Sequence, residues 1–183
     1  MGNLTVAEFW QQQDFAYLET YSFNRGPASE AEYKRLSQEI VAIKEALVSG
    51  RPMLRNRVSR QLQNLEEEMA GGKPDTGFSG PAAALSSTTR KIATLTTASP
   101  ALTQLSALLS EAGRQEAVAS CIPIYRDALV FYNEQRQQMR VLTICFECLS
   151  MLTDDKQLVE ADFATYEALR EFLLKLGHPI EQR

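Results

Sequence analysis

The sequence predicts an all-α protein, built as a helical bundle of about six helices. Two observations favour this class: apolar residues recur every three or four positions along most of the chain, and helix-capping signals precede several of these stretches. A third is that no segment shows the convincing alternation of a half-buried strand. With 44% hydrophobic and 23% charged residues, the 183-residue chain can bury a core of its own.

The first 70 residues are expected to hold a short aromatic helix and a helical hairpin. Thr5 and Glu8 have the spacing of a capping box, so a first helix is predicted over about residues 6–20. Ser29 and Glu32 repeat that spacing before a long antiparallel, coiled-coil-like hairpin at about residues 29–69. The apolar seam of its two arms comprises Tyr33, Leu36, Ile40, Ile43 and Leu47, then Leu54, Val58, Leu62, Leu65 and Met69.

Residues 71–98 are predicted to be a loop or linker, because they are rich in glycine and proline and then in serine and threonine. Residues 99–183 are expected to form a helical core, in one compact unit with residues 1–70. Ser99 and Pro100 mark a helix start, and Gly177 is placed to end the last helix, expected over about 155–176. Residues 118–132 are apolar on nearly all sides of a helix, which predicts a central, buried helix. Residues 133–140 are polar and residues 141–152 are apolar again, so either one long helix spans about 114–152 or a break falls near Asn133.

Aromatic residues are concentrated near the N-terminus, between residues 9 and 23. Four of them, Phe9, Trp10, Phe15 and Tyr17, are candidates for partner binding, because aromatic side chains dominate the binding energy of protein interfaces. The alternative, which is the favoured interpretation of this helix, is that it packs on its own domain, since a small helical domain needs large anchors.

Four arginines lie close together in the sequence, at Arg51, Arg55, Arg57 and Arg60. Because their helix is expected to begin basic and end acidic, against its own macrodipole, ion pairing within the hairpin or across a homodimer is the favoured interpretation. Arg55 and Arg57 are therefore assigned to partner binding. The alternative is a nucleic-acid-associated regulator whose Arg51–Arg60 cluster contacts phosphates.

Cys145 and Cys148 form a C-x-x-C pair, and Cys121 and His178 could complete a four-ligand metal set. No second tight ligand pair exists, so cysteines buried in the core are the favoured interpretation. A small metal or thiol protein centred on Cys145 and Cys148 is the alternative. His178 is expected to be exposed or to act as a cation at the end of the last helix. No cofactor and no metal is predicted.

The function predicted from these features is a non-enzymatic protein–protein interaction module that acts through helical surfaces, such as an adaptor, chaperone, anti-activator or immunity-like regulator. Catalysis is not predicted, because a single histidine leaves little of the familiar catalytic machinery. The expected partner is another protein, with a homodimer through the hairpin as a second option, and neither nucleic acid nor membrane. Three cysteines, an odd and low number, and the lack of a long apolar run predict a cytoplasmic protein.

Overall fold

The computed structural model describes residues 4–49, 59–65, 89–113 and 123–181. These residues form a mixed α/β fold around a seven-stranded sheet. The strands are β1 (Leu4–Thr5), β2 (Tyr17–Ser22), β3 (Arg90–Thr96), β4 (Asp127–Tyr132), β5 (Gln138–Cys145), β6 (Ser150–Thr153) and β7 (Leu158–Glu160). The helical segments are α1 (Val6–Gln11), α2 (Pro27–Ser49), α3 (59–65), α4 (Pro100–Ser110) and α5 (Phe163–Leu176).

The strands lie in the order β1-β7-β6-β5-β4-β2-β3, and every pairing is antiparallel except that of β1 with β7. From β4 to β7 the chain forms a meander, in which each strand pairs with the next. Strand β3 lies at one edge of the sheet and has β2 as its one neighbour among the described strands.

One face of the sheet packs against α1, α4 and α5 and forms the main core. Because side chains alternate along a strand, Leu129 and Phe131 of β4 lie on this face, while Ala128 and Val130 lie on the other. All four are at most 1% exposed, so β4 is buried on both faces. The helices contribute, among others, Val6, Phe9, Leu105, Leu109, Leu169 and Leu173.

The all-α class, with its helical bundle and coiled-coil architecture, is wrong. The error lies chiefly in residues 123–160, where the expected helices are replaced by the strands β4 to β7. A strand buried on both faces is apolar in every direction, as a buried helix is, so hydropathy alone does not separate them. The polar residues 133–137, predicted as helix or break, are the turn between β4 and β5, with Arg136 at φ 62°.

Several local signals are confirmed, although element lengths differ from those expected. Thr5 and Glu8 form the capping box of α1, but this helix ends at Gln11 and residues 17–22 form β2. The side chain of Ser99 accepts from the amide of Leu102 and caps α4. Gly177 ends α5 in the left-handed conformation at φ 99°.

The described part of residues 29–69 is helical, and its apolar seam is partly visible. Leu36 and Ile40 of α2 are buried and pack with Leu62 and Leu65 of α3. Helix α2 begins at Pro27, two positions before the expected cap, and Arg126 beside β4 pairs with Glu30 at 3.0 Å. These helices therefore accompany a sheet and are not part of a bundle.

The expected loop at residues 71–98 does not extend to its end. Residues 71–88 lie outside the described part of the chain, and residues 90–96 form β3. In the described ranges no helix combines the length and the apolar character needed to cross a membrane.

Candidate functional site

A buried polar network lies where β2, β4 and the residues after α5 meet. The ring of His178 makes two contacts, Nδ1 to Asp127 Oδ1 at 2.7 Å and Nε2 to Thr20 Oγ1 at 2.9 Å. Thr20, Asp127 and His178 are each at most 3% exposed. Polar side chains that are buried to this extent destabilise the fold unless they are hydrogen-bonded, so these two contacts are needed for the fold to be stable here.

Strand register and a helix cap bring these residues together. Ser22 of β2 pairs with Asp127 of β4, and Thr20 shares the face of Ser22 because side chains alternate. Gly177 then reverses the chain after α5, and the amide of His178 donates to the carbonyl of Leu173. This turn carries the imidazole onto the face of the sheet that holds Thr20 and Asp127.

Arg25 completes the network from the segment between β2 and α2. Its Nη2 donates to Asp127 Oδ2 at 2.6 Å, and its Nε donates to Ser22 Oγ at 2.8 Å. The Arg25 side chain is 18% exposed, whereas that of Asp127 is 1% exposed. The carboxylate of Asp127 therefore accepts from an arginine on one oxygen and from an imidazole on the other, which is how a buried charge is compensated.

The order hydroxyl, imidazole, carboxylate is also that of a nucleophilic triad. Since an ionised carboxylate only accepts, Nδ1 of His178 carries a proton and donates to Asp127. However, Thr20 is 0% exposed, so a substrate carbonyl cannot approach its hydroxyl in this conformation. The arrangement therefore clamps two strands to the end of α5, and it offers no accessible nucleophile.

A pocket of about 470 Å³ opens beside this network. A bulge in β3 shapes its wall: Ala93 pairs with Thr20 and Lys91 pairs with Tyr21, so Ile92 is the extra residue. Bulges redirect side chains locally, and Ile92 lies next to Gly177. The lining residues are Ser22, Arg25, Gly26, Arg90, Ile92, Gly177 and Pro179.

The opposite face of β2 and β4 carries a second group of residues, here called the tyrosine face: Tyr17, Tyr21 and Tyr132 with Glu19 and Lys91. The rings of Tyr17 and Tyr132 stack, with centroids 5.0 Å apart and planes 7° apart. Glu19 accepts from Lys91 at 2.9 Å and from the hydroxyl of Tyr21.

Ionisation within the tyrosine face follows from these contacts. Partial burial by itself raises the pKa of Glu19, but the hydrogen bonds from Tyr21 and Lys91 outweigh it and leave the pKa below its usual value. Burial, and then the bond to Glu19, raises the pKa of Tyr21 far above its usual value. Near neutral pH the pair is therefore a carboxylate that accepts from a phenol.

The predicted partner-binding aromatics occupy different positions. Phe9 and Trp10 are 2% and 8% exposed and belong to the main core. Trp10 packs edge-on against Phe15 and Phe131, and its Nε1 donates to Ser106 Oγ at 3.1 Å. Tyr17 is half-buried and belongs to the tyrosine face, as does the half-buried Tyr132. The burial of Phe9 and Trp10 agrees with the alternative in which the aromatic helix packs on its own domain.

The predicted basic cluster falls mostly outside the described residues. Arg51, Arg55 and Arg57 are not described, and Arg60 is exposed on α3. Both the partner-binding assignment of Arg55 and Arg57 and the nucleic-acid alternative therefore stay predictions.

The cysteine pair is not on a helix, contrary to expectation. Cys145 ends β5, and Cys148 follows in the turn before β6. Cys145 is a buried free thiol whose pKa is raised chiefly by burial, whereas Cys148 is disulfide-bonded. Among the described residues, no group of three or more metal-ligating side chains is close enough to hold an ion.

The network around His178 was missed by sequence reasoning, and the expectation that this histidine is exposed is wrong. Its ring is buried and lies 51 residues from Asp127 and 158 residues from Thr20 in the sequence. The available signal was the presence of the polar residues Thr20, Ser22 and Asp127 at positions that face the apolar core. That signal is readable only after β2 and β4 are recognised as strands.

No protein-family model, curated protein or solved structure matches the chain. Its class is therefore defined by its own fold and site, as a mixed α/β protein in which a buried hydroxyl, imidazole, carboxylate and guanidinium tie the sheet to its last helix.

Proposed function

We propose that the protein is a non-enzymatic protein-binding module whose partner adds an extended segment to the outer edge of β3. The observation that carries this proposal is the edge strand itself. Strand β3 has seven residues and pairs with β2 alone among the described strands. Such an edge presents a row of backbone donors and acceptors that a second chain can use.

The strand register identifies which backbone groups face outward. The amide of Phe23 donates to the carbonyl of Arg126 opposite it, so the odd-numbered residues of β2 bond to β4. The even-numbered ones, such as Thr20, therefore bond to β3, where Thr20 pairs with Ala93. By the same alternation, the N–H of Thr94 points away from β2, toward the outer edge.

Side chains at this edge limit which chains can pair there. Arg90, Lys91, Thr94 and Thr96 are exposed, and positive charge on an edge discourages uncontrolled pairing between identical strands. The tyrosine face lies beside them, and tyrosine supplies contact area at little cost in conformational entropy. A partner of complementary, acidic character would gain both backbone bonds and aromatic contacts.

An enzymatic role has less support. The hydroxyl of Thr20 is inaccessible, and the thiol of Cys145 is buried with its pKa raised, so neither is an available nucleophile in the described conformation. Removing the hydroxyl of a catalytic threonine would abolish activity. Removing it from the present network would instead weaken folding.

The experiment compares two substitutions at one position. Thr94→Pro removes the outward N–H and leaves the inward bonds of β3, whereas Thr94→Ala keeps that N–H and loses only the hydroxyl. Tagged wild-type protein and both variants are used to recover partners from the native cells in moderate salt. Circular dichroism establishes first that each variant keeps the wild-type fold.

We expect a stoichiometric partner that the wild type and Thr94→Ala retain and that Thr94→Pro loses. A partner retained equally by all three proteins would contradict docking on β3. Recovery of the protein alone would contradict the function itself.

A further inference from the structure

The pocket beside the buried network has the composition of an anion site with an apolar wall. Two arginines, Arg25 and Arg90, line it together with Ile92 and Pro179. Arg25 donates to Ser22, and Arg90 pairs with Ser22 in the strand register, so both arginines are anchored around one residue. Because both arginines line the same pocket, one ligand in it can contact both side chains.

The network holds Arg25 in place before any ligand arrives. Nη2 and Nε of Arg25 are bound to Asp127 and Ser22, which orients the planar guanidinium. The Nη1 group of Arg25 has no hydrogen-bond partner within the described residues, and neither has any nitrogen of the Arg90 guanidinium. Because Arg25 is already oriented, an anion that binds to its Nη1 does not carry the entropic cost of ordering that side chain.

The charges of the pocket select among anions. Asp127 compensates Arg25 and is 1% exposed, so of these three groups a single net positive charge remains for a ligand. A monoanion matches that charge, whereas a phosphate dianion exceeds it. The side chains of Ile92 and Pro179 offer contact to a short apolar stem, which inorganic anions lack.

We propose that this pocket binds a monocarboxylate, with the carboxylate at Arg25 and Arg90 and a short apolar stem against Ile92 and Pro179. This site goes beyond the proposed function and does not depend on it. Two sources share the chemistry: a free small acid and the C-terminal carboxylate of a peptide with an apolar last residue.

The test is a titration of the full chain followed by amide chemical shifts. Butyrate is the probe, and butyramide is its neutral control of the same shape. We expect saturable shifts at Gly26, Ile92 and Gly177 with butyrate, with a dissociation constant on the order of millimolar for so small a ligand, and none with butyramide. Absence of saturable shifts with butyrate, or equal shifts with butyramide, would overturn the proposal.

Variants assign the site. Arg90→Gln removes the exposed cation and is expected to weaken butyrate binding at least about fivefold. Arg136→Gln is the matched control, because Arg136 is exposed in the turn at the far end of β4, about 17 Å along the strand from Asp127. Equal weakening by both variants, or no weakening by Arg90→Gln, would exclude the pocket.

Two further ligands separate the sources and test the charge argument. The peptide acetyl-Ala-Ala-Val is titrated with a free carboxylate and with an amidated end. Tighter binding of the free-acid peptide than of butyrate supports a peptide terminus as the source, and the reverse order supports a small acid. Inorganic phosphate that binds more tightly than both would overturn the preference for a monocarboxylate.

Discussion

The buried carboxylate of Asp127 gives the sharpest test of the structure. Asp127→Ala removes the acceptor of both Arg25 and His178 in one step. The ring of His178 is fully buried, so its Nδ1–H would lose its partner without access to water. An unsatisfied buried donor costs about 1–3 kcal/mol, and breaking a buried ion pair costs about 3–5 kcal/mol. Arg25 keeps some solvent access, so we expect about 3–5 kcal/mol in total.

Asp127→Asn provides a graded second variant. Its amide oxygen can accept from Arg25, and its NH₂ can donate to Nδ1 if the imidazole of His178 moves its proton to Nε2 and donates to Thr20. All three hydrogen bonds then survive, and only the charge of the carboxylate is lost. We expect about 1–2 kcal/mol, since a bond to a charged group is stronger than a neutral one by roughly that amount.

Equilibrium unfolding in urea, followed by circular dichroism, measures both variants. With a slope of about 2 kcal/mol per molar urea, the alanine variant should unfold about 2 M earlier than the wild type. Asp155→Ala is the control, because Asp155 is 56% exposed and pairs with Arg140 at the surface. It should cost at most about 1 kcal/mol. If Asp127→Ala costs no more than this control, the clamp is not what holds the strands to α5.

Three further predictions concern the core and the helix ends. Trp10→Ala should cost about 3–5 kcal/mol in urea unfolding, because it removes a buried indole, and a cost no larger than that of Tyr17→Ala would contradict its core position. Gly177→Ala should cost about 1–2 kcal/mol by the same assay, because φ is 99° there; an unchanged midpoint would contradict that conformation. Asp162→Ala should cost about 1 kcal/mol at pH 7, because Asp162 caps α5. Hydrogen bonds from the hydroxyl and amide of Thr165 lower the pKa of Asp162. The stability that the ionised Asp162 contributes is therefore present above about pH 4 and is lost as the pH falls further. If Asp162→Ala remains less stable than the wild type by the same amount at pH 2, this reasoning is refuted.

Local signals were read correctly where a few neighbouring residues decide the outcome. The capping box of Thr5 and Glu8, the cap at Ser99 and the left-handed Gly177 depend on side-chain and backbone chemistry within one turn. The predicted lengths of the helices were wrong where no local signal marks the end of the helix. No residue close to Gln11 in sequence indicates that the helix ends there and that residues 17–22 pair with β3 and β4.

The candidate site was not predictable for the same reason. Asp127 precedes an apolar run that suits a buried helix and a central strand equally well, and its partner His178 follows a helix cap. The sequence around Asp127 does not indicate that it binds His178, and the sequence around His178 does not indicate that it binds Asp127. The pocket likewise depends on the bulge at Ile92, which is a property of the pairing between β2 and β3.

By itself, the sequence determined where α1 and α4 begin and where α5 ends, because a cap is satisfied within a single turn of backbone. It also determined that large aromatic side chains near the N-terminus need a place of burial. Only the tertiary structure decided that residues 127–160 form the strands β4 to β7 and that Thr20, Arg25, Asp127 and His178 meet. The physical reason is that strand pairing and buried charge compensation are non-local: the free energy that favours them exists only after distant segments come together.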